Sequence, residues 1–315
     1  IIGLYFQGQI NSLLATLNNN TFSKYGDNKV EVFFEFIKRD TLEEDEDPPG
    51  FDVFVVPIAA LEQPHCFAVF ISTELITSLT KIHSTIELGP EVALETLSVK
   101  EVEALFRVVF PRVFSTLTFL FFHEYGHVMQ AHFPFLFPQR YENPAKKSFL
   151  SLHQIKTSND AIKLNQTRLH RAIEMDADLA SISLIVRFLS MESAEAPDFF
   201  LKEIIEEPEI IGESISILIG VMELWRKTFS VTPYSKERVL HPHPDIRQIF
   251  LSSWLTTRRP EDHSDRFFEI ASAIHKGMEA ASDKVAKLGS SFLPYFSHLK
   301  NKDKHEYQRN KRRSE

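Results

Sequence analysis

His123-Glu124-Tyr125-Gly126-His127 places two imidazoles four residues apart, with a carboxylate directly after the first. On a helix, positions i and i+4 share a face, so both rings can point at one ion, about 2.0–2.1 Å from each nitrogen. Glu124 sits roughly 100° further round such a helix. It is then outside the coordination sphere but within reach of a water beside the ion, as a hydrolytic zinc site requires. The competing reading is an amphipathic helix with two histidines satisfied by ordinary hydrogen bonds. The apolar run Phe114–Phe122 just ahead of the motif implies burial. Burying two histidines and a glutamate together is costly unless they pair or bind a metal. Cys66 is the sole cysteine. A disulfide framework and a thiolate metal site are therefore excluded. Any ligands must be His, Glu or Asp, and Cys66 reads as a small buried hydrophobe.

Glu174-Met175-Asp176-Ala177-Asp178 falls inside an apolar, Ala-rich helical stretch, Leu169–Leu189. Three acids within five residues are out of place on a core helix; a solvated acidic face is the bland alternative. Glu174 and Asp178 are i and i+4 and share a face. Glu174 can supply a third ligand. Asp178 can accept a hydrogen bond from the outer nitrogen of a ligating histidine and so set its tautomer. Asp176 points elsewhere, toward the surface. The third cluster is His241-Pro242-His243-Pro244-Asp245-Ile246-Arg247. It reads either as a plain helix start, with Pro244 in the first turn and Asp245 favoured by the dipole, or as a His and Arg247 donating to a developing oxyanion. His65, His83, His170 and His263 have no partner pattern and read as structural or exposed.

HExxH, then ExxAD, then HP-x4-R is the signature order of the gluzincin peptidases related to HtpX and the CAAX prenyl protease. This sequence resembles them at His123–His127, at Glu174–Asp178 and at His241-Pro242 with Arg247. HEYGHVMQAH, with a further His132, is similar too. The resemblance spans Phe67–Ile249. It implies a zincin-like metallopeptidase in which His123, His127 and Glu174 hold one Zn2+ per chain. Glu124 would be the catalytic base and Asp178 the support of a ligating histidine. His241 by spacing, or His243 by the duplicated His-Pro, would approach the site with Arg247. Strand His65–Ser72 sits where such enzymes keep the strand that aligns substrate. Typical members carry membrane helices around the catalytic core. The E-x-DAD form of EMDAD instead resembles the soluble Lit phage-exclusion peptidase family, whose members cleave an intracellular protein.

The positioning elements follow from periodicity and punctuation. Asn11–Asn18 has a short helical pattern. Lys29–Ile37, Phe51–Pro57 and His65–Ser72 are apolar runs that predict strands, hence a small mixed sheet. Asp40–Gly50, a charge run closed by Pro-Pro-Gly, predicts a loop. Ser72 or Thr73 can cap a helix over Glu74–His83. Ser98 with Glu101 completes a capping box. Pro111 should break or kink that helix, and a second from Arg112 to His132 should carry the motif and stop before the prolines of Phe133–Pro138. A polar link, Gln139–Gln166, leads to a helix over Thr167–Leu189. Further helices are expected at Pro208–Thr228, Asp245–Thr256 and Asp262–Val285. The fold class is α+β and predominantly helical. The division is 1–8, 9–100 with the substrate-aligning sheet, 101–260 with the helical zinc-site core, and 261–315, all one catalytic unit. Leu4–Gly8 (LYFQG) matches the end of an engineered protease-cleavage sequence, so residues 1–8 are set aside from the fold.

Composition narrows the function. Hydrophobic residues make up 43% and charged ones 25%, which is ordinary for a soluble globular protein. The 28 phenylalanines read as core filler. A net charge of -8 argues against a nucleic-acid partner. The basic stretch Lys300–Arg313 reads as a solvated helix end or tail. Leu117–Phe122 and Ile215–Trp225 fall short of the roughly 20 apolar residues of a membrane span. The expectation is a cytoplasmic zinc endopeptidase that binds a polypeptide extended along a sheet edge. The rivals are a metal-binding sensor on the same scaffold without turnover, and a zinc hydrolase of a non-peptide amide or ester.

Overall fold

The computed structural model describes residues 1–18, 30–38, 53–58, 65–89, 96–136, 160–191, 199–229, 242–257, 264–281 and 284. Their architecture is α+β and predominantly helical, with one three-stranded sheet near the N-terminus.

Helix α1 (Ile2–Leu17) buries Ile2, Phe6, Ile10, Leu13 and Leu14, one face at helical spacing. Residues 2–8, set aside in the reading of the sequence, form the first half of this helix. Phe6 is wholly buried and meets Phe34 and Phe114 edge-on, because an aromatic at a core-facing position is drawn in whatever its neighbours resemble.

Strands β1 (Glu31–Ile37), β2 (Val53–Pro57) and β3 (Cys66–Ser72) follow. The order is β1-β3-β2, with β1 parallel and β2 antiparallel to β3. The strand thought to align substrate is thus the central one. Its backbone groups are consumed on both sides, as expected for its apolar, nearly all-buried sequence. The outer side of β1 is capped as well. The Asn18 amide donates to Val32 O at 2.8 Å and accepts from Val32 N at 2.9 Å, mimicking a strand partner. Ile58 N donates to Cys66 O, so alternation turns the groups of Val53, Val55 and Pro57 outward from β2. Pro57, with no N–H, suits an outward edge position.

Ser72 ends β3 and caps α2 (Thr73–Leu88) by accepting from Leu75 N; Gly89, at φ 85°, closes that helix. Ser98 and Glu101 form the expected capping box of α3 (Val99–Met129). Pro111 does not end the helix, contrary to the sequence expectation. An interior proline costs about 3 kcal/mol; Pro111 is buried in the core, and in the same turn Arg112 Nη1 donates to Val108 O. By length and composition α3 could cross a bilayer, but 61% of its apolar window is buried. It is the central helix, packed by α2, α5 (Asp160–Ser190) and α7 (Glu209–Phe229). A short helix, α4 (His132–Leu136), occupies the stretch where two prolines were expected to stop helix formation. Helices α6 (Lys202–Glu206), α8 (Pro244–Thr257) and α9 (265–281) complete the described chain. The loop predicted at 40–50 and the basic stretch 300–313 lie outside the described residues, as does most of 139–166.

The phenylalanines do fill the core. Phe114, Phe121 and Phe122 of α3 pack edge-on or tilted against Phe6, Phe34, Phe188 and Phe199, so the helix enters the motif through an aromatic wall. Near the middle of α3, Arg112 bridges Glu87 of α2 and Glu213 of α7. His83 is buried beside it. Burial, then the charges of Arg112 and Lys284, pushes its pKa down to about 3. The unfolded chain therefore binds one more proton between pH 6.5 and 3. Stability is full above the unfolded value and is lost as pH falls through this window, at up to about 1.4 kcal/mol per pH unit. His83→Leu should flatten that part of the stability–pH curve. An unchanged slope in denaturant titrations at pH 4 to 6.5 would assign the acid sensitivity elsewhere.

Candidate metal centre

Two helices build the site. Helix α3 presents His123 and His127; α5 presents Glu174 and Asp178, each pair one turn apart. The helices can meet closely because the residue just before His127 is a glycine, Gly126. A Cβ on Gly126 would lie 3.1 Å from Ala177 O and 3.1 Å from the Ala180 Cβ, tighter than ordinary contact. Gly126 and Ala177 are thus the small residues that bring opposing side chains within reach. Ser181 Oγ donates to Phe119 O at 2.8 Å and fixes the same crossing.

One donor atom from each of His123, His127 and Glu174 lies within 4.8 Å of the others, and all three residues are buried. His123 Nε2 is 3.2 Å from Glu174 Oε2 and 3.3 Å from His127 Nε2. Glu174 Oε1 is 3.7 Å from His127 Nε2. Two imidazole nitrogens and a carboxylate converging this way can hold a metal ion and leave a fourth position open. Both outer nitrogens have partners. His123 Nδ1 lies 2.8 Å from Asp178 Oδ1 and His127 Nδ1 lies 2.9 Å from His132 Nδ1. Burial alone would lower the His123 pKa, but the hydrogen bonds and charges of Asp178 and Glu174 override it and push it up to about 10. The two carboxylates thus favour a proton on His123. A metal taking the Nε2 lone pair replaces that proton.

Arg247, on α8, donates from Nε to Asp178 Oδ2 at 2.7 Å and from Nη2 to Asp178 Oδ1 at 2.6 Å. Burial raises the Asp178 pKa, but Arg247 and His123 together hold it below its usual value. The sequence left Arg247 either in a plain helix start or as a donor to an oxyanion; in the fold two of its three nitrogens are committed to Asp178, as suits a buried guanidinium beside a buried carboxylate. Glu124 is also buried, and its charge is felt by Arg247.

His243 is not part of the ligand group. Its Nδ1 accepts from Asp245 N at 3.2 Å at the start of α8, and its Nε2 lies 3.7 Å from the buried Glu223. His241 and His263 lie outside the described residues. Asp176 is exposed, as expected, and from the surface its Oδ2 lies 3.0 Å from His132 Nε2. His170, expected to be structural or exposed, is buried one turn before Glu174 on the same face of α5, a spacing visible in the sequence. Glu223 had no local signal. Comparison with protein-family models, with curated proteins and with solved structures found no match to this chain.

Proposed function

We propose that this chain is a zinc-dependent endopeptidase of the gluzincin type, with Glu124 as general base. The observation that carries the reading is the buried convergence of His123, His127 and Glu174, with the outer nitrogen of each histidine already engaged. Imidazole and carboxylate ligands in a three-plus-one arrangement suit zinc. The bound metal would supply Lewis acidity to a water and to the scissile carbonyl.

The chain's own residues do the rest. The Glu124 carboxylate accepts a proton from the attacking water and returns it to the leaving nitrogen, so water and a peptide bond become a carboxylic acid and an amine. Arg247 keeps Asp178 ionised, and Asp178 keeps the His123 proton on Nδ1, which leaves Nε2 free for the metal. Of the sheet edges, that of β2 is the one for an extended polypeptide. β3 is covered on both sides, β1 is met by Asn18, and β2 packs against α3.

Two measurements test this. The purified chain should carry about one zinc, and Glu174→Ala should bring the content well below that; unchanged content excludes Glu174 as a ligand. Cellular protein exposed to the zinc-loaded chain should gain new N-termini that are absent with Glu124→Gln. A fully loaded chain giving the same fragments in both forms would overturn the peptidase reading in favour of a metal-binding scaffold without turnover.

A further inference from the structure

On an uninterrupted helix His127 and His132, five residues apart, would face directions roughly 140° apart. They meet because α3 stops. Gln130 N closes the last turn on Gly126 O, Ala131 N donates to Val128 O, and Ala131 takes φ 58°. It is the one non-glycine at positive φ among the described residues. Left-handed backbone with a Cβ costs about 1–2 kcal/mol, and strain of this kind persists where surrounding contacts hold it. Here the reversal starts α4 with His132 turned back over the site. The two rings lie edge to face, centroids 5.0 Å apart, with Nδ1 2.9 Å from Nδ1.

We infer that His132, backed by Asp176, is a positioning residue for His127, completing a third layer of the metal centre. The inference rests on the metal-binding reading above. The direction of every proton then follows. A metal at His127 Nε2 needs that lone pair, so the His127 proton sits on Nδ1 and is donated to His132. His132 Nδ1 must then accept, which places its own proton on Nε2, where Asp176 Oδ2 receives it at 3.0 Å. The carboxylate can only accept, so it holds the chain in this sense. His123 has its carboxylate directly behind it; His127 has one a ring further out. All three acids of Glu174–Asp178 are thereby used: Glu174 as ligand, Asp178 behind His123, Asp176 behind His127. Asp176 does this from the rim, its side chain half exposed (50%), while His132 is buried.

The test uses the full chain and zinc alone, titrated against a competing chelator, with folding checked by circular dichroism. His132→Leu should weaken zinc binding by about 10- to 100-fold, the usual effect of losing an outer partner of a ligand. His132→Asn, whose amide oxygen can stand near the Nδ1 position, should recover most of it. In zinc-loaded wild-type chain, nitrogen NMR of labelled histidines should show His132 protonated on Nε2 and His127 on Nδ1. If His132→Leu does not fold, Asp176→Ala, at the half-exposed end, carries the same comparison with a loss of several-fold. Wild-type zinc affinity in the folded variants, or the opposite His132 tautomer, overturns this inference while leaving the metal centre standing. A wild-type chain that binds no zinc overturns both.

Discussion

Glu124→Gln is expected to bind zinc as the parent chain does and to cleave its polypeptide target about 10²- to 10⁴-fold more slowly, the usual contribution of a positioned general base. The glutamine amide keeps the size and most of the packing of a buried side chain, so the structure around it should persist. It cannot accept a proton at neutral pH. The three ligand residues and the hydrogen bonds behind them do not include Glu124, which is why metal content should not follow rate. The measurement is single-turnover cleavage of a substrate found by fragment comparison, with zinc determined on the same sample. Parental rates in the loaded variant would remove Glu124 from the mechanism. Loss of zinc together with rate would move it to the ligand set.

Arg247→Met is expected to have the largest effect on stability. Asp178 and Arg247 are both buried, and the guanidinium makes two hydrogen bonds to the carboxylate. Removing one partner of such a pair costs about 3–5 kcal/mol, because the other is left as a buried charge with too few contacts. That is a large share of the roughly 5–15 kcal/mol that keeps a typical domain folded. His123 would still face Asp178 on one side, so the loss belongs at the lower end of the range for the metal-free chain. Asp178→Asn combined with Arg247→Met should recover part of the stability, since the orphaned charge is gone. Urea unfolding of the two variants and the parent gives the comparison. A single variant as stable as the parent would show that the pair is offset elsewhere.

How far the sequence was legible depends on the range of each interaction. Spacing within one helix was enough to pair His123 with His127, and Glu174 with Asp178, because the pitch of an α-helix is the same everywhere. The Ser72 and Ser98 caps were legible for a similar reason: they satisfy donors three residues away. The strands were found, but not their order. Which apolar strand takes the middle depends on partners tens of residues distant, and β3 took it. Pro111 was misjudged because its local penalty was weighed without its burial in the core. Residues 1–8 were set aside on their resemblance to a cleavage sequence, while Phe6 is held by Phe34 and Phe114, neither of which is near it along the chain.

The candidate metal centre divides the same way. The sequence alone determined its ligand types: one cysteine, two histidines a turn apart, and an acid pair on a second helix. Only the tertiary structure decided that these meet. They do so where Gly126 lets α3 approach Ala177 and Ala180 of α5, a contact no periodicity encodes. The fold also turned Arg247 onto Asp178 and His132 onto His127, through α8 and through the left-handed turn at Ala131. Helical repeat is a property of the backbone and can be read from one segment. The partner of a buried charge or an outer ring nitrogen is whatever packing brings nearest, and that is settled only when the helices cross.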